Sequence, residues 1–337
     1  MASYFWVGGT GTWSATGNTQ FAITSGGIAT ILNPTSADTV FFDANSGGGT
    51  CTLGSDVTCL ILTMSNYAGT LDFQSFKITL TGNATQIFAQ SLTMGVAGTP
   101  IIECSYSGGT GTRTITGTTA GETSTITIKI IAGTDIFAMG SGRRYRTVDF
   151  TGFSGSLTNT TRTIFGNLIV SSSMTLTAGT LATTFAATSG TQQITTSAKT
   201  LDFPLTFNGI GGTFAFQDAL TQGSTRAFTI TNGTVQLKNG VTSVVGSFVA
   251  NNANVKFLQS TTPGSQATLS QASGTVNVVD LTIRDINAVG GASWNAYTDF
   301  ENTDAGNNDG WNFSLSPPYS TAEFPITLRS FTQPRRF

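Results

Sequence analysis

Chemistry in this chain would have to rest on carboxylates, because imidazole is missing and thiols are few. There is no histidine among the 337 residues, which removes the Ser-His-Asp triad, the Cys-His pair and His-ligated zinc. The three cysteines, Cys51, Cys59 and Cys104, form no CxxC pair. A Cys51–Cys59 disulfide is conceivable, but buried free thiols suit a chain made in a reducing cytosol better. Seventeen Asp and Glu remain. Two of them flanking a sugar could act as the acid and the base or nucleophile of glycoside hydrolysis. The most conspicuous are Asp72, Asp149 and Asp202, each in a Thr-(Leu/Val)-Asp-Phe motif at 70–73, 147–150 and 200–203. Asp is also an ordinary turn residue, and a motif repeated for structural reasons carries its Asp along. The structural reading is preferred, so no catalytic residue and no cofactor is expected.

Three further clusters invite the same weighing. Asp299, Glu301, Asp304, Asn307, Asn308 and Asp309 offer the oxygen ligands that Ca²⁺ prefers. They lack the D-x-D-x-D-G-x₅-E spacing, and a loop of Asx turns with Trp311 packed back on the body is the expectation around Asp304–Asp309. Arg143-Arg144-Tyr145-Arg146, following Gly140-Ser-Gly142, is the densest basic cluster. Guanidinium groups match phosphate and carboxylate bidentately; here a solvated or inter-subunit loop is expected. Arg335-Arg336-Phe337 joins two residue types enriched at interface hot spots and reads as a docking element for a neighbouring subunit. Tyr4 and Trp6, with Trp13, could sit at an interface or stack on sugars, although core or cap packing is the commoner fate of such rings.

The elements that must position these residues are written in the bulk composition. The chain holds 62 Thr, 40 Gly and 24 Phe, against only 8 Pro. Branching at Cβ and aromatic rings favour a pleated sheet over a helix, so the chain reads as all-β. Fifteen basic and 17 acidic side chains give a net charge of −2, without the positive excess of a nucleic-acid binder. Charged residues are only 9% of the total, against about 25% in an ordinary soluble domain. No apolar run approaches the ~20 residues of a membrane-spanning helix, and membrane insertion is not expected. The first residues show neither a basic n-region nor a long apolar h-region, so no secretion signal is expected.

Apolar–Thr alternation recurs throughout, as in Lys77-Ile-Thr-Leu-Thr81, Ala227-Phe-Thr-Ile-Thr231 and Thr234-Val-Gln-Leu-Lys238. This is a period of two with one buried face. The three Thr-(Leu/Val)-Asp-Phe motifs, placed by positions 71, 148 and 201, are separated by gaps that are near multiples of one length. That length is about 26, within the ~20–29 residues of one solenoid rung. Stacked rungs also explain the scarcity of charge, since like residues fall in register. The expected fold is a parallel β-helix (solenoid), with a multi-domain β-sandwich or jelly roll as the alternative. Residues 1–45 form an aromatic cap or docking region, 46–313 the β-helical body and 314–337 an extended, proline-containing arm.

Two stretches carry a resemblance. Tyr4-Phe-Trp-Val-Gly-Gly-Thr-Gly-Thr-Trp-Ser-Ala-Thr16 resembles the opening of β-rich structural and adhesin-like proteins of bacteriophages and bacterial surface arrays. Residues 281–296, followed by Asp304-Ala-Gly-Asn-Asn-Asp-Gly-Trp-Asn-Phe313, resemble the segment closing many such β-helical regions. The middle of the chain is similar to them in composition only. The resemblance implies a virion structural protein of the tail-fibre, spike, head-fibre or decoration type. It implies a homo-oligomer, often a trimer, assembled with other virion proteins and contacting a host surface glycan or receptor. It transfers no catalytic residue. A bacterial surface adhesin and a tailspike polysaccharide depolymerase are the alternatives.

Overall fold

Each strand is built by the alternation just described. In Thr127–Ile130 the two Ile point inward and are fully buried, while Thr and Lys face outward. The same in–out pattern holds in Lys77–Leu80, Ile101–Cys104 and Ala227–Leu237. The structure is a computed structural model and describes residues 1–83, 86–88, 93–94, 100–117 and 126–316. Parallel strands stack as a β-solenoid of about 11 turns. The β-sandwich alternative is thereby set aside.

Successive strands visit three sides in order and return one turn later. Ile61–Met64, Thr70–Asp72 and Lys77–Leu80 occupy the three sides of one turn. The next turn adds Gln86–Phe88, Thr93–Met94 and Ile101–Cys104, each parallel to its predecessor. At about 4.8 Å per strand spacing, the body is a rod roughly 50 Å long.

The turn length varies more than the sequence implies. Ile101 stands beside Thr127, Val148 beside Leu168 and Trp294 beside Trp311. The advance along the chain is longest for the first of these pairs and shortest for the last. The corners absorb the difference. The three Thr-(Leu/Val)-Asp-Phe motifs do not stack on one another, because they lie in three different sheets. Leu71 neighbours Cys51, Val148 neighbours Ile128, and Leu201 neighbours Gln222. Their even spacing is a coincidence of turn chemistry rather than a period.

Register explains how the few charges are used. On the third side, Thr79, Glu103, Lys129 and Asp149 are stacked neighbours. Opposite signs alternate, and Lys77 Nζ also reaches Glu103 at 2.9 Å. On the second side, Thr163, Thr184, Thr206 and Thr229 form an outward column that begins from the exposed Arg144.

One core cluster runs from Trp6 to Ala296. Trp6, Trp13, Phe21 and Phe42 fill its first end, with ring centroids 5.4–6.0 Å apart. Phe185, Phe207, Phe228 and Phe248 continue as a column at 5.0–5.8 Å steps. Trp294 and Trp311 end it, 5.0 Å from each other. Gly310 makes the last rung possible: its φ of +77° is in the left-handed region, and a Cβ there would strike the Ala288 carbonyl.

The first end is closed by a change of direction. Phe21–Ala22 pairs antiparallel with Ser3–Trp6, and the chain then folds back so that Thr30 N donates to Phe21 O at 2.9 Å. This hairpin lengthens the first turn, so Gly11 does not meet its parallel neighbour until Cys51. Of the expected arm, only 314–316 fall within the described residues. Arg335, Arg336 and Phe337 lie outside them.

Candidate functional site

The most constructed polar group is inside the rod. Arg113, on strand Thr112–Thr116, points inward above Phe137 of the next turn. Its Nε donates to Asp135 Oδ2 at 2.7 Å and its Nη2 to Asp135 Oδ1 at 2.8 Å and to Ala132 O at 2.9 Å. Both partners are buried. The guanidinium also lies 5.3–5.8 Å from the ring centres of Tyr106, Phe137 and Phe153. Two parallel N–H···O bonds across one turn make a rivet. With both groups enclosed, no substrate reaches them.

A second buried cation, Arg162, lies on strand Arg162–Ile164. Its Nε donates to Thr183 Oγ1 at 2.9 Å, its Nη1 lies 3.8 Å from Met139 Sδ, and Phe203 covers it at 5.2 Å. Among the described residues it forms no salt bridge. Burial pushes its pKa down to about 10, with Tyr145 opposing the shift. A third, Lys256, donates to the carbonyls of Asn252 and Asn254, each at 2.5 Å. Burial lowers its pKa to about 8, against the pull of Asp280.

The basic cluster at 143–146 is not a loop. Arg143–Tyr145 is a strand, and its side chains alternate between inside and outside. Tyr145 is fully buried, its hydroxyl donating to Ile115 O at 3.1 Å and accepting from Gly117 N at 3.3 Å. Burial pushes that phenol up to about 12. Arg144 and Arg146 are exposed and Arg143 is half-buried, so the four residues do not form one patch. Trp6 is likewise a core residue, with its indole N–H donating to Gly9 O at 3.1 Å. Tyr4 is half-buried and packed on the core. Neither Tyr145 nor Trp6 is placed to meet a partner.

The carboxylates are dispersed. Asp72 accepts from Gln74 N at 3.0 Å and Asp149 from Thr151 N at 2.8 Å, both as Asx turns. Asp202 departs from this pattern by pairing with Arg226 Nε at 2.7 Å. Near the last turns, Asp304 Oδ1 accepts from Gly306 N at 2.9 Å and Asn308 Nδ2 at 2.6 Å. Asp309 accepts from Gln266 Nε2 at 2.8 Å. Asp299 accepts from the backbone and hydroxyl of Ser316, and that hydroxyl bond lowers its pKa. No group of three metal-ligating side chains converges among the described residues. Asp280 and Glu301 do meet. A hydrogen bond from one carboxyl to the other, and the like charge of Asp280, raise the pKa of Glu301.

The thiols are inert. Cys51, Cys59 and Cys104 are free and buried. Burial raises all three, Cys104 to about 12, so the nucleophilic thiolate is absent at neutral pH.

Sequence reasoning missed two surface features. One is a concavity of about 190 Å³ at a corner, walled by Ile210, Val255 and Phe257 and floored by Asn232, Gly233 and Thr234. Clustered glycines at Gly209, Gly211 and Gly212 mark the corner in the sequence, but nothing there signals that the apolar neighbours point outward. The other is the hairpin of the first turn, where Ile23, Ile28 and Ile31 are exposed. Compared with known protein families, curated proteins and solved structures, the chain matches none.

Proposed function

We propose that this chain is a structural component of a bacteriophage virion, a stiff fibre, spike or decoration subunit whose task is to hold a shape. The observation that carries the reading is the unbroken core from Trp6 to Ala296, stitched across turns by parallel backbone hydrogen bonds. Such a rod resists bending because each turn is fixed by its neighbours. The buried polar groups support the same reading: Arg113, Arg162 and Lys256 bond to the protein itself rather than facing a cleft. The phage assignment rests on the resemblance of 4–16, of 281–296 and of 304–313.

The test is immunogold electron microscopy of phage particles with antibody against the purified chain. Label on particle surfaces supports the proposal, and label confined to cell debris refutes it. Clearing of host polysaccharide by the purified chain would instead establish a depolymerase.

A further inference from the structure

The first turn of the rod breaks the rule that governs solenoid ends. Terminal turns normally present a polar outer face, and exposed sheet edges carry charge, proline or a bulge. Here residues 28–32 read Ile-Ala-Thr-Ile-Leu and form the outermost segment of the first sheet. Ile28 and Ile31 are 89% and 74% exposed, and Ile23, on the facing arm of the hairpin, is 70% exposed. The segment is held in place rather than loose. Asn18 binds Asn33 Oδ1 at its base through backbone N and Nδ2 at 3.2 and 3.0 Å, and Asn45 Nδ2 donates to Ser25 Oγ at its tip at 2.9 Å.

Its backbone is directed outward. Thr30 bridges to Phe21 in antiparallel fashion, so the N–H and C=O groups of the flanking Ala29 and Ile31 point to the open side. Neither residue has a backbone hydrogen-bond partner among the described residues.

Charge selects the occupant. Residues 1–37 contain no charged side chain, so two copies of this edge meet without repulsion. Among the described residues the other end of the rod is acidic: residues 280–309 hold Asp280, Asp285, Asp299, Glu301, Asp304 and Asp309 against Arg284 alone. Two such ends repel, and an acidic end laid on the apolar hairpin would strip water from carboxylates without supplying a cation. Only hairpin on hairpin avoids both costs. We propose that residues 28–32 pair antiparallel with the same residues of a second copy, across a two-fold axis at Thr30, covering Ile28 and Ile31 and continuing the first sheet from one rod into the next. A two-fold contact uses one patch twice. The inference stands apart from which assembly the rod serves.

Sedimentation velocity over a rising concentration series tests it, comparing the unaltered chain with Ile28→Lys/Ile31→Lys. The unaltered chain is expected to reach twice 35.0 kDa. The variant is expected to associate more than about tenfold more weakly, because the side chains introduced at position 31 of the two copies lie diagonally across the two-fold and four charges enter one small seam. At concentrations where both chains are monomeric the melting temperature is unchanged, because both side chains are exposed. Thr30→Cys is expected to give a covalent dimer on mild oxidation faster than a control at the exposed Thr221. A chain that stays at 35.0 kDa, a variant that associates as before, a three-copy mass insensitive to the substitutions, or equal cross-linking at Thr221 would each overturn the proposal.

Discussion

Arg113 and Arg162 face into the same core from neighbouring parts of the rod, and the protein pairs them differently, leaving Arg113 Nη1 without a hydrogen-bond partner among the described residues. Arg113 meets a carboxylate of the following turn, Asp135. Arg162 meets only a hydroxyl of the following turn, that of Thr183, with a thioether and a ring. Lys256 adds a third arrangement, two carbonyls of its own turn. Stacking can therefore solvate a cation from the rung above as well as from its own. Only the Arg113 arrangement creates a second buried charge that depends on the first.

The largest expected effect follows from that dependence. Asp135→Ala leaves Arg113 enclosed without a counter-charge and should cost about 3–5 kcal/mol in urea unfolding. The double variant Arg113→Met/Asp135→Leu removes both charges together. It should return stability to the unaltered value or above it, because a buried pair is rarely better than well-packed apolar groups. A double variant as unstable as Asp135→Ala would show that the orphaned charge of Arg113 is not the source of the loss. Arg162→Met should be far milder, within about 1.5 kcal/mol, since one hydrogen bond to Thr183 is lost and no carboxylate is orphaned.

Lys256 makes its burial visible through pH. Its folded pKa of about 8 lies below the ordinary 10.5. As pH rises between these values, the folded chain sheds a proton that the unfolded chain retains, so the cost of burying the charge is relieved. Stability measured against Lys256→Met should therefore shift in favour of the unaltered chain as pH rises from neutral through this window. The shift should be on the order of 2 kcal/mol, at about 1.4 kcal/mol per unit of pKa difference. A shift in the other direction would show that the carbonyls of Asn252 and Asn254 more than offset the burial.

Much of this architecture is legible in the sequence. Thr alternating with Ile, Leu and Phe at 77–81, 227–231 and 234–238 marks strands because the pleat has a strict period of two. The solenoid follows from scarce charge and abundant Thr, and the outward column of Glu103, Lys129 and Asp149 shows one way charge is accommodated, by alternating in sign. The rung length is not legible, because corners vary in length while strands do not, and three similar turns on different sides mimic a period. Arg143–Tyr145 looks like a basic loop because its composition hides the parity that sends Tyr145 inward and Arg144 outward. The partner of Arg113 cannot be read from sequence at all. Asp135 is one turn away, and turns as unequal as Gln86 to Ile115 and Trp294 to Trp311 set no fixed offset.

The long first turn has a consequence for the order of events during synthesis. In a chain of this kind each contact reaches only to the turn before, so the distance searched along the sequence stays the same however long the rod becomes. The ribosome emits the Trp6–Trp13–Phe21–Phe42 cluster ahead of the turns that follow it, and that cluster is the slow, long-range closure. Once it exists, every later turn finds a finished edge to grow on and lays down one strand per side. Growth is then vectorial, like a crystal advancing from a seed. A defect ahead of Leu53 stops the whole rod, while a defect near Trp311 spoils only its tip.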